Sequence, residues 1–82
     1  MTIQDRVRQH LIATGAWSGP PEELTDDYAL LDEGVMDSLG ILQMVTFLED
    51  DLGVEVEDDD LVPENFASVA AIAQLVGVRQ GS

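Results

Sequence analysis

The sequence predicts an all-α domain: a bundle of three main helices plus one short helix, with a long loop between the first and second helices. Apolar residues recur every three to four positions in three segments that glycine or proline separates, which is the spacing of one helix face. Only four of the 82 residues are aromatic, so the core must be built from aliphatic side chains. This composition favours helices over a sheet sandwich, because strands are enriched in aromatic residues.

The first helix is predicted over about a dozen residues from its apolar period. Thr2 and Asp5 have the spacing of a capping box, in which each side chain accepts a hydrogen bond from the other residue's backbone. Gly15 is expected to end the helix. The apolar face repeats every four residues, at Ile3, Val7 and Leu11.

A long loop follows, from about Gly15 to Asp37, because Pro20 and Pro21 cannot continue a helix. The loop is longer than most connections in compact domains, so it is either functional or held by its own side chains. The apolar residues expected to hold it are Leu24, Tyr28, Leu30 and Leu31.

The second helix is predicted to begin at Ser38, where either Asp37 or Ser38 can cap the first free N–H groups. Placing the residues about 100° apart around the helix gives two faces. The core face holds Ile41, Met44, Val45, Leu48 and Leu52. The opposite face holds Leu39, Leu42, Gln43, Thr46, Glu49 and Asp50. Exposed leucines are ordinary on protein surfaces; the alternative is a docking face with an apolar centre and a rim of carboxylates.

After Gly53, the stretch VEVEDDD could form a strand, but a lone strand has no partner and is not stable. The three aspartates 58–60 instead suit the first turn of a short helix through Leu61 and Val62, because carboxylates are favoured at helix N-termini. Pro63 is expected to limit this helix. Ser68 is a plausible cap for the last helix, which ends near Gly77 and has a core face of Val69, Ile72, Ala73 and Val76. Residues 79–82 are expected to fray.

Length and charge restrict the function. A chain of 82 residues has room for one core, so residues 1–82 are expected to form a single domain. The 17 acidic residues face only Arg6, Arg8 and Arg79, and the net charge of −14 argues against nucleic acids and anionic membranes as partners. The N-terminus is polar and the apolar runs are short, so we expect no membrane span and a cytoplasmic location. We also expect a monomer.

No catalytic or metal-binding residue is predicted. Ser38 lacks the flanking glycines of a nucleophile elbow, and the only histidine, His10, belongs to the first helix. The chain has no cysteine, and the acidic run from Glu55 to Asp60 lacks the spacing of a calcium loop. A phosphate attached at Ser38 would nevertheless be favoured by the positive end of the second helix. The alternative is that Ser38 is only a helix cap.

The stretch GVMDSLG, followed by an acidic amphipathic helix, resembles the attachment site of acyl carrier proteins and their peptidyl carrier relatives. The resemblance covers nearly the whole chain, including the segments LLDEGVMDSL, EDDLGVEV, DDDLVPENF and ASVAAIAQLV. It implies an acyl-carrier-protein-like fold and a non-catalytic carrier. Its Ser38 would be esterified with 4′-phosphopantetheine, taken from coenzyme A by a separate transferase. The thiol of this arm would then hold acyl groups as thioesters.

The resemblance also implies roles for the residues around Ser38. Asp37 and Leu39 would belong to the attachment site, with Asp37 helping to position Ser38 and the transferase. Leu39, Leu42 and Thr46 would form the apolar part of a docking face. The carboxylates that would meet basic residues of partners are Asp32, Glu33, Glu49 and Asp50.

Two positions depart from the carriers of fatty-acid synthesis, which usually have acidic residues where this chain has Gly40 and Gln43. The chain also lacks the Gly-Gly pair that commonly precedes the serine in carriers embedded in large synthetases. It looks more like discrete carriers of specialised polyketide or nonribosomal-peptide-type biosynthesis. The partners implied are a phosphopantetheinyl transferase, an adenylating or acyl-transferring loading enzyme, and downstream synthase or tailoring enzymes. The alternatives are a carrier for fatty-acid synthesis, a D-alanyl carrier for cell-wall modification and an unmodified acidic interaction module.

The cargo is not identified by the sequence. Met44, Phe47 and Phe66 could either fill the core or line a space for an acyl chain. The bulk of Phe47 favours a short or polar cargo that stays outside the bundle.

Overall fold

The computed structural model describes residues 2–80 and confirms the all-α class. Its three α-helices are α1 (Ile3–Ala13), α2 (Ser38–Asp51) and α3 (Val69–Gln80). Three short 3-10 helices lie in the connections, at Pro21–Glu23, Asp58–Asp60 and Pro63–Phe66. Residues 2–80 include no strand, in agreement with the rejection of VEVEDDD as one. None of the helices in this range is long and apolar enough to cross a membrane.

The ends of α1 are those that its sequence predicts. The Thr2 hydroxyl accepts a hydrogen bond from the Asp5 N–H at 3.1 Å, and the Asp5 carboxylate accepts one from the Thr2 N–H at 3.3 Å. Gly15 follows the helix with a φ of +83°, a conformation that favours glycine. The turn lets the Trp17 N–H donate to the Leu11 carbonyl at 3.0 Å. The capping box and the stop at Gly15 are therefore confirmed.

The long loop between α1 and α2 follows an ordered path along the core. Leu24 and Leu30 are buried, while Tyr28 and Leu31 are half-buried and pack against the core. Tyr28 also meets Trp17 edge to face, with the ring centroids 5.0 Å apart. The four residues predicted to hold the loop do so.

Backbone hydrogen bonds tie this loop to the beginning of α3. The Leu30 N–H donates to the Ala67 carbonyl at 2.9 Å, and the Ala70 N–H donates to the Asp26 carbonyl at 2.8 Å. The Asp26 carboxylate also pairs with Arg8 on α1. The loop is thus held between α1 and α3, which determines where the chain arrives at the start of α2.

All three α-helices contribute to one core, and α3 packs along both α1 and the 3-10 helix Pro63–Phe66. On α2, Met44 and Leu48 are buried, while Ile41, Val45 and Leu52 are half-buried. The whole predicted core face of α3 is buried. The loops add further apolar residues, among them Leu24, Leu30, Met36, Val54 and Phe66. Both predicted core faces are therefore confirmed.

The predicted short helix is wrong in its extent. The 3-10 helix Asp58–Asp60 ends before Leu61 and Val62, both of which are partly exposed. Pro63 begins the next 3-10 helix, Pro63–Phe66, instead of limiting the one before it. Proline suits a first helical position because its φ is already helical and its missing N–H would have no partner there.

The end of α3 also differs from the prediction, since the helix continues past Gly77 to Gln80. The Arg79 guanidinium forms a bidentate salt bridge with the Asp60 carboxylate. Its Nε and Nη2 atoms lie 2.8 Å and 2.6 Å from the two carboxylate oxygens. The fraying expected of residues 79 and 80 is therefore wrong, because this ion pair holds the last turn. Residues 81 and 82 lie outside the described range.

Candidate functional site

The candidate site is the corner where the long loop ends and α2 begins. Asp37 has an extended backbone, with φ −122° and ψ −168°, and Ser38 is the first helical residue. The Asp37 carboxylate accepts a hydrogen bond from the Gly40 N–H at 2.8 Å, and its carbonyl accepts one from the Ile41 N–H at 2.8 Å. Of the two caps that the sequence left open, the structure selects Asp37.

The Ser38 side chain is exposed at this corner. Because Asp37 performs the capping, the Ser38 hydroxyl is not needed for it, and this hydroxyl makes no hydrogen bond to any residue from 2 to 80. The hydroxyl is therefore accessible to a reagent that arrives from solvent. Its modification would break no hydrogen bond within residues 2–80.

The backbone at the corner suits a negatively charged group. The first N–H groups of a helix have no intrahelical acceptor, and at this helix Asp37 satisfies only that of Gly40. The N–H groups of Ser38 and Leu39 remain available to an anion. Within the first turn of α2 there is no acidic residue, and the one carboxylate at this helix end is that of the cap, Asp37, which is bonded to the Gly40 N–H. A phosphate attached to Ser38 would therefore be stabilised by the helix end.

The Met36 side chain anchors the corner to the core. Gly34 turns the chain with a φ of +77°, after which the Met36 N–H donates to the Leu30 carbonyl at 3.1 Å. The Met36 side chain is 3% exposed and belongs to the core. Met36 was not among the predicted site residues, although a signal was present: it stands directly before the cap, five residues before Ile41. This is the spacing of a hydrophobic staple, which sets the angle at which the chain enters a helix.

The face of α2 opposite the core is exposed, as predicted. Leu39 and Leu42 are 62% and 57% exposed, beside Gln43, Thr46, Glu49 and Asp50, which are exposed as well. The Thr46 hydroxyl donates to the Leu42 carbonyl at 3.1 Å, so its hydrogen bond is made within the helix. We call the apolar residues Leu39 and Leu42, together with Thr46, the docking face, after the role that the sequence predicts for them.

Carboxylates lie on two sides of this face. Glu49 and Asp50 occupy the later turns of α2. Asp32 and Glu33 lie exposed in the turn before the corner, which is formed by residues 30–34. Among residues 2–80, the ion pairs are made by Arg8 and Arg79, and neither arginine pairs with these four acids. Their charges are therefore free to meet cations of another molecule.

The only histidine lies away from the corner. The His10 ring stacks on Phe47 with the centroids 4.4 Å apart, in the contact between α1 and α2. Phe47 is nine residues beyond Ser38, which is about 13 Å along a helix that rises 1.5 Å per residue. Burial lowers the pKa of His10, while the charge of Asp51 opposes this shift. His10 is thus a packing residue of the helix contact and is not placed to act on Ser38.

The three residues considered for a cargo space have different positions. Met44 and Phe66 are fully buried and fill the core, whereas Phe47 is half-buried against His10. A shallow cleft of about 230 Å³ lies instead between the turn before the corner and the 3-10 helix Pro63–Phe66. It is lined by Ala29, Leu31, Asp32, Pro63, Glu64 and Ala67.

Residues 13–76, which are most of the chain, match a protein-family model described as "Phosphopantetheine attachment site". The matched segment includes the long loop, the corner at Ser38, all of α2 and most of α3. No curated protein matches the chain.

Proposed function

The chain belongs to the phosphopantetheine attachment-site family, whose members have a covalently attached 4′-phosphopantetheine. On this premise we propose that it holds acyl or aminoacyl intermediates as thioesters on an arm attached at Ser38. It presents them to partner enzymes of polyketide or nonribosomal-peptide-type biosynthesis. The observation that supports Ser38 most directly is its exposed hydroxyl, free of hydrogen bonds within residues 2–80, at the first position of α2.

The residues of the corner fit the chemistry of the arm. The arm supplies a thiol that forms the thioester, and its phosphate forms an ester with the Ser38 oxygen. The free N–H groups of Ser38 and Leu39 and the dipole of α2 stabilise this phosphate, by about 0.3 to 1 kcal/mol at an exposed site. Asp37 maintains the turn by accepting the Gly40 N–H, so that the serine oxygen stays at the tip of the corner.

The chain itself contributes no catalysis in this proposal. A separate phosphopantetheinyl transferase attaches the arm, an adenylating or acyl-transferring enzyme loads it, and synthase or tailoring enzymes use the cargo. Each partner meets the docking face, with apolar contacts at Leu39 and Leu42 and basic residues opposite Asp32, Glu33, Glu49 and Asp50. The net charge of −14 accelerates the encounter with such basic surfaces.

The same charge supports two further parts of the proposal. It repels a second copy of the chain, which favours a monomer, and it disfavours nucleic acid and anionic membranes as partners. We propose that the carrier works in the cytoplasm, where coenzyme A is available to the transferase.

The packing of the core supports a short cargo that stays outside the bundle. Met44 and Phe66 have no exposed surface and occupy the space that a long acyl chain would need. The shallow cleft beside the corner is large enough only for a small group and is mostly apolar, with Asp32 and Glu64 in its lining. A short acyl or aminoacyl group resting at the surface is consistent with this geometry.

The test begins with intact mass spectrometry. The purified protein is incubated with coenzyme A, magnesium and a broad-specificity phosphopantetheinyl transferase, with Ser38→Ala beside it. We expect one added arm on the wild type and none on the variant. An unmodified but folded wild type would refute the carrier proposal, and addition to Ser38→Ala would refute the site.

The pathway is tested on the modified protein. Holo-protein is offered to amino-acid-adenylating enzymes, to malonyl-transferring enzymes and to a D-alanine-activating enzyme, and the acylated mass is recorded. Preferential loading by an adenylating or polyketide-type enzyme is expected. Efficient loading only by a malonyl-transferring enzyme of fatty-acid synthesis, or only by the D-alanine-activating enzyme, would overturn the assignment to specialised biosynthesis. The carrier function would remain in place.

A further inference from the structure

Gly40 is a glycine that the backbone does not require. Among residues 2–80, the glycines with positive φ are Gly15, Gly34 and Gly53, whereas Gly40 is an ordinary third residue of α2. Any L-residue could adopt its conformation, and glycine is among the least favourable residues in a helix. The reason for glycine at this position therefore lies in its neighbours.

Two neighbours occupy the space that a side chain at position 40 would need. A Cβ atom there would lie 3.0 Å from Cγ of Met36 and 3.4 Å from Oδ1 of Asp37. The first distance is shorter than ordinary van der Waals contact, so Met36 would have to move. Met36 has little freedom to do so, because its side chain is 3% exposed in the core and its N–H is bonded to the Leu30 carbonyl.

Movement of Met36 would be transmitted to the attachment corner. Met36 is followed directly by Asp37, whose carboxylate is bonded to the Gly40 N–H at 2.8 Å, and then by Ser38. A side chain at position 40 would press on Met36 and lie against the capping oxygen of Asp37. The shift of Met36 changes the place of the Ser38 oxygen relative to α2, whereas the Asp37 oxygen, at 3.4 Å, is in ordinary contact.

We propose that Gly40 is a positioning residue for phosphopantetheine transfer: its missing side chain lets Met36 and the Asp37 cap close against the first turn, and this holds the Ser38 oxygen where a transferase reaches it. The inference rests on the proposed function, since it concerns the reaction at Ser38. It assigns to Gly40 a role in the rate of that reaction, in addition to the absence of the acidic side chain that carriers of fatty-acid synthesis usually have at this position.

Gly77 provides a matched control within the same chain. It also lies inside an α-helix without a positive φ, but a Cβ atom there would meet nothing within 4 Å. Gly77→Ala and Gly40→Ala therefore make the same chemical change and give the same gain in helix propensity. They differ in whether the added methyl group touches the corner.

The experiment measures kcat and KM for the carrier in transfer from coenzyme A by one phosphopantetheinyl transferase. Misplacement of a reacting group by 1 Å can cost about a hundredfold, so a shift of a few tenths of an ångström is expected to lower kcat for Gly40→Ala by about fourfold to tenfold. The KM for the carrier should stay within about twofold, because the docking face is unchanged. Gly77→Ala should have the kinetics of the wild type.

A second measurement reads the corner without the transferase. Amide hydrogen exchange at residue 40 should accelerate in Gly40→Ala, because the bond to the Asp37 carboxylate is disturbed, and it should be unchanged in Gly77→Ala. Wild-type kcat in Gly40→Ala would overturn the proposal while leaving the carrier function intact. So would a rise in KM alone, which would assign Gly40 to partner contact, or loss of the helical circular dichroism, which would assign it to folding. A wild type that accepts no arm would overturn the proposed function and this inference together.

Discussion

Replacing Asp37 and Ser38 separately should divide capping from attachment. Asp37→Ala removes the carboxylate that accepts the Gly40 N–H at 2.8 Å, whereas Ser38→Ala removes a hydroxyl that makes no hydrogen bond within residues 2–80. Loss of an N-cap costs about 1 kcal/mol of unfolding free energy, which corresponds to roughly 4 to 8 °C in Tm for a domain of this size. Ser38→Ala should stay within about 0.5 kcal/mol of the wild type, since alanine is also a good helix former.

Thermal unfolding followed by circular dichroism measures both variants, with Asp37→Asn as the control. Asparagine retains an oxygen that can accept the Gly40 N–H. The free energy of unfolding of Asp37→Asn should therefore lie within about 0.5 kcal/mol of that of the wild type. Loading separates two variants that thermal unfolding does not: Ser38→Ala accepts no arm, whereas folded Asp37→Asn accepts one. The reasoning is refuted if Ser38→Ala costs as much stability as Asp37→Ala, because the serine would then be the cap.

Three further predictions concern the docking face, the acid response and the histidine. Leu39→Glu or Leu42→Glu should slow transfer from the loaded arm to a partner. Each should leave the helical circular dichroism unchanged, because both leucines are more than half exposed (62% and 57%). If either variant unfolds, the replaced leucine belongs to the core instead. Asp60→Asn should lower Tm at neutral pH, because pairing with Arg79 holds the pKa of Asp60 below its ordinary value of 3.8. The contribution of Asp60 is present above that value and lost as the pH falls through the lower, folded-state pKa, so the Tm values of the two proteins should converge in acid; a constant gap would contradict this. Burial lowers the pKa of His10 below 6.5, so the fold favours the neutral ring and stability should fall as the pH drops through 6.5; an NMR titration with a pKa above 6.5 would refute this.

The parts of the fold that were predicted correctly depend on residues close together in the chain. The capping box of α1 joins residues three apart, and Ser68 likewise accepts the Ala71 N–H at 3.1 Å at the start of α3. The core face of each helix follows from its own period. Such patterns are visible in a sequence because the interacting groups lie within one or two helical turns.

The errors arose where one segment depends on another that is distant in the chain. The last turn of α3 was expected to fray, yet Arg79 is held by Asp60, nineteen positions earlier. Pro63 was expected to end a helix, yet it begins one that packs against α3. Both outcomes depend on where the acidic segment crosses the bundle, and no local pattern encodes that path.

The attachment corner shows the same division. The sequence alone determined that Ser38 opens an amphipathic helix with Leu39 and Leu42 outside its core face, because helical periodicity and cap preference are local properties. Only the tertiary structure decided that Asp37 is the cap, that the Ser38 hydroxyl makes no hydrogen bond within residues 2–80, and that the Met36 side chain packs against Gly40. The physical reason is that the entry angle of the chain into α2 is set by the core and by the Leu30 carbonyl, which hold Met36 in place.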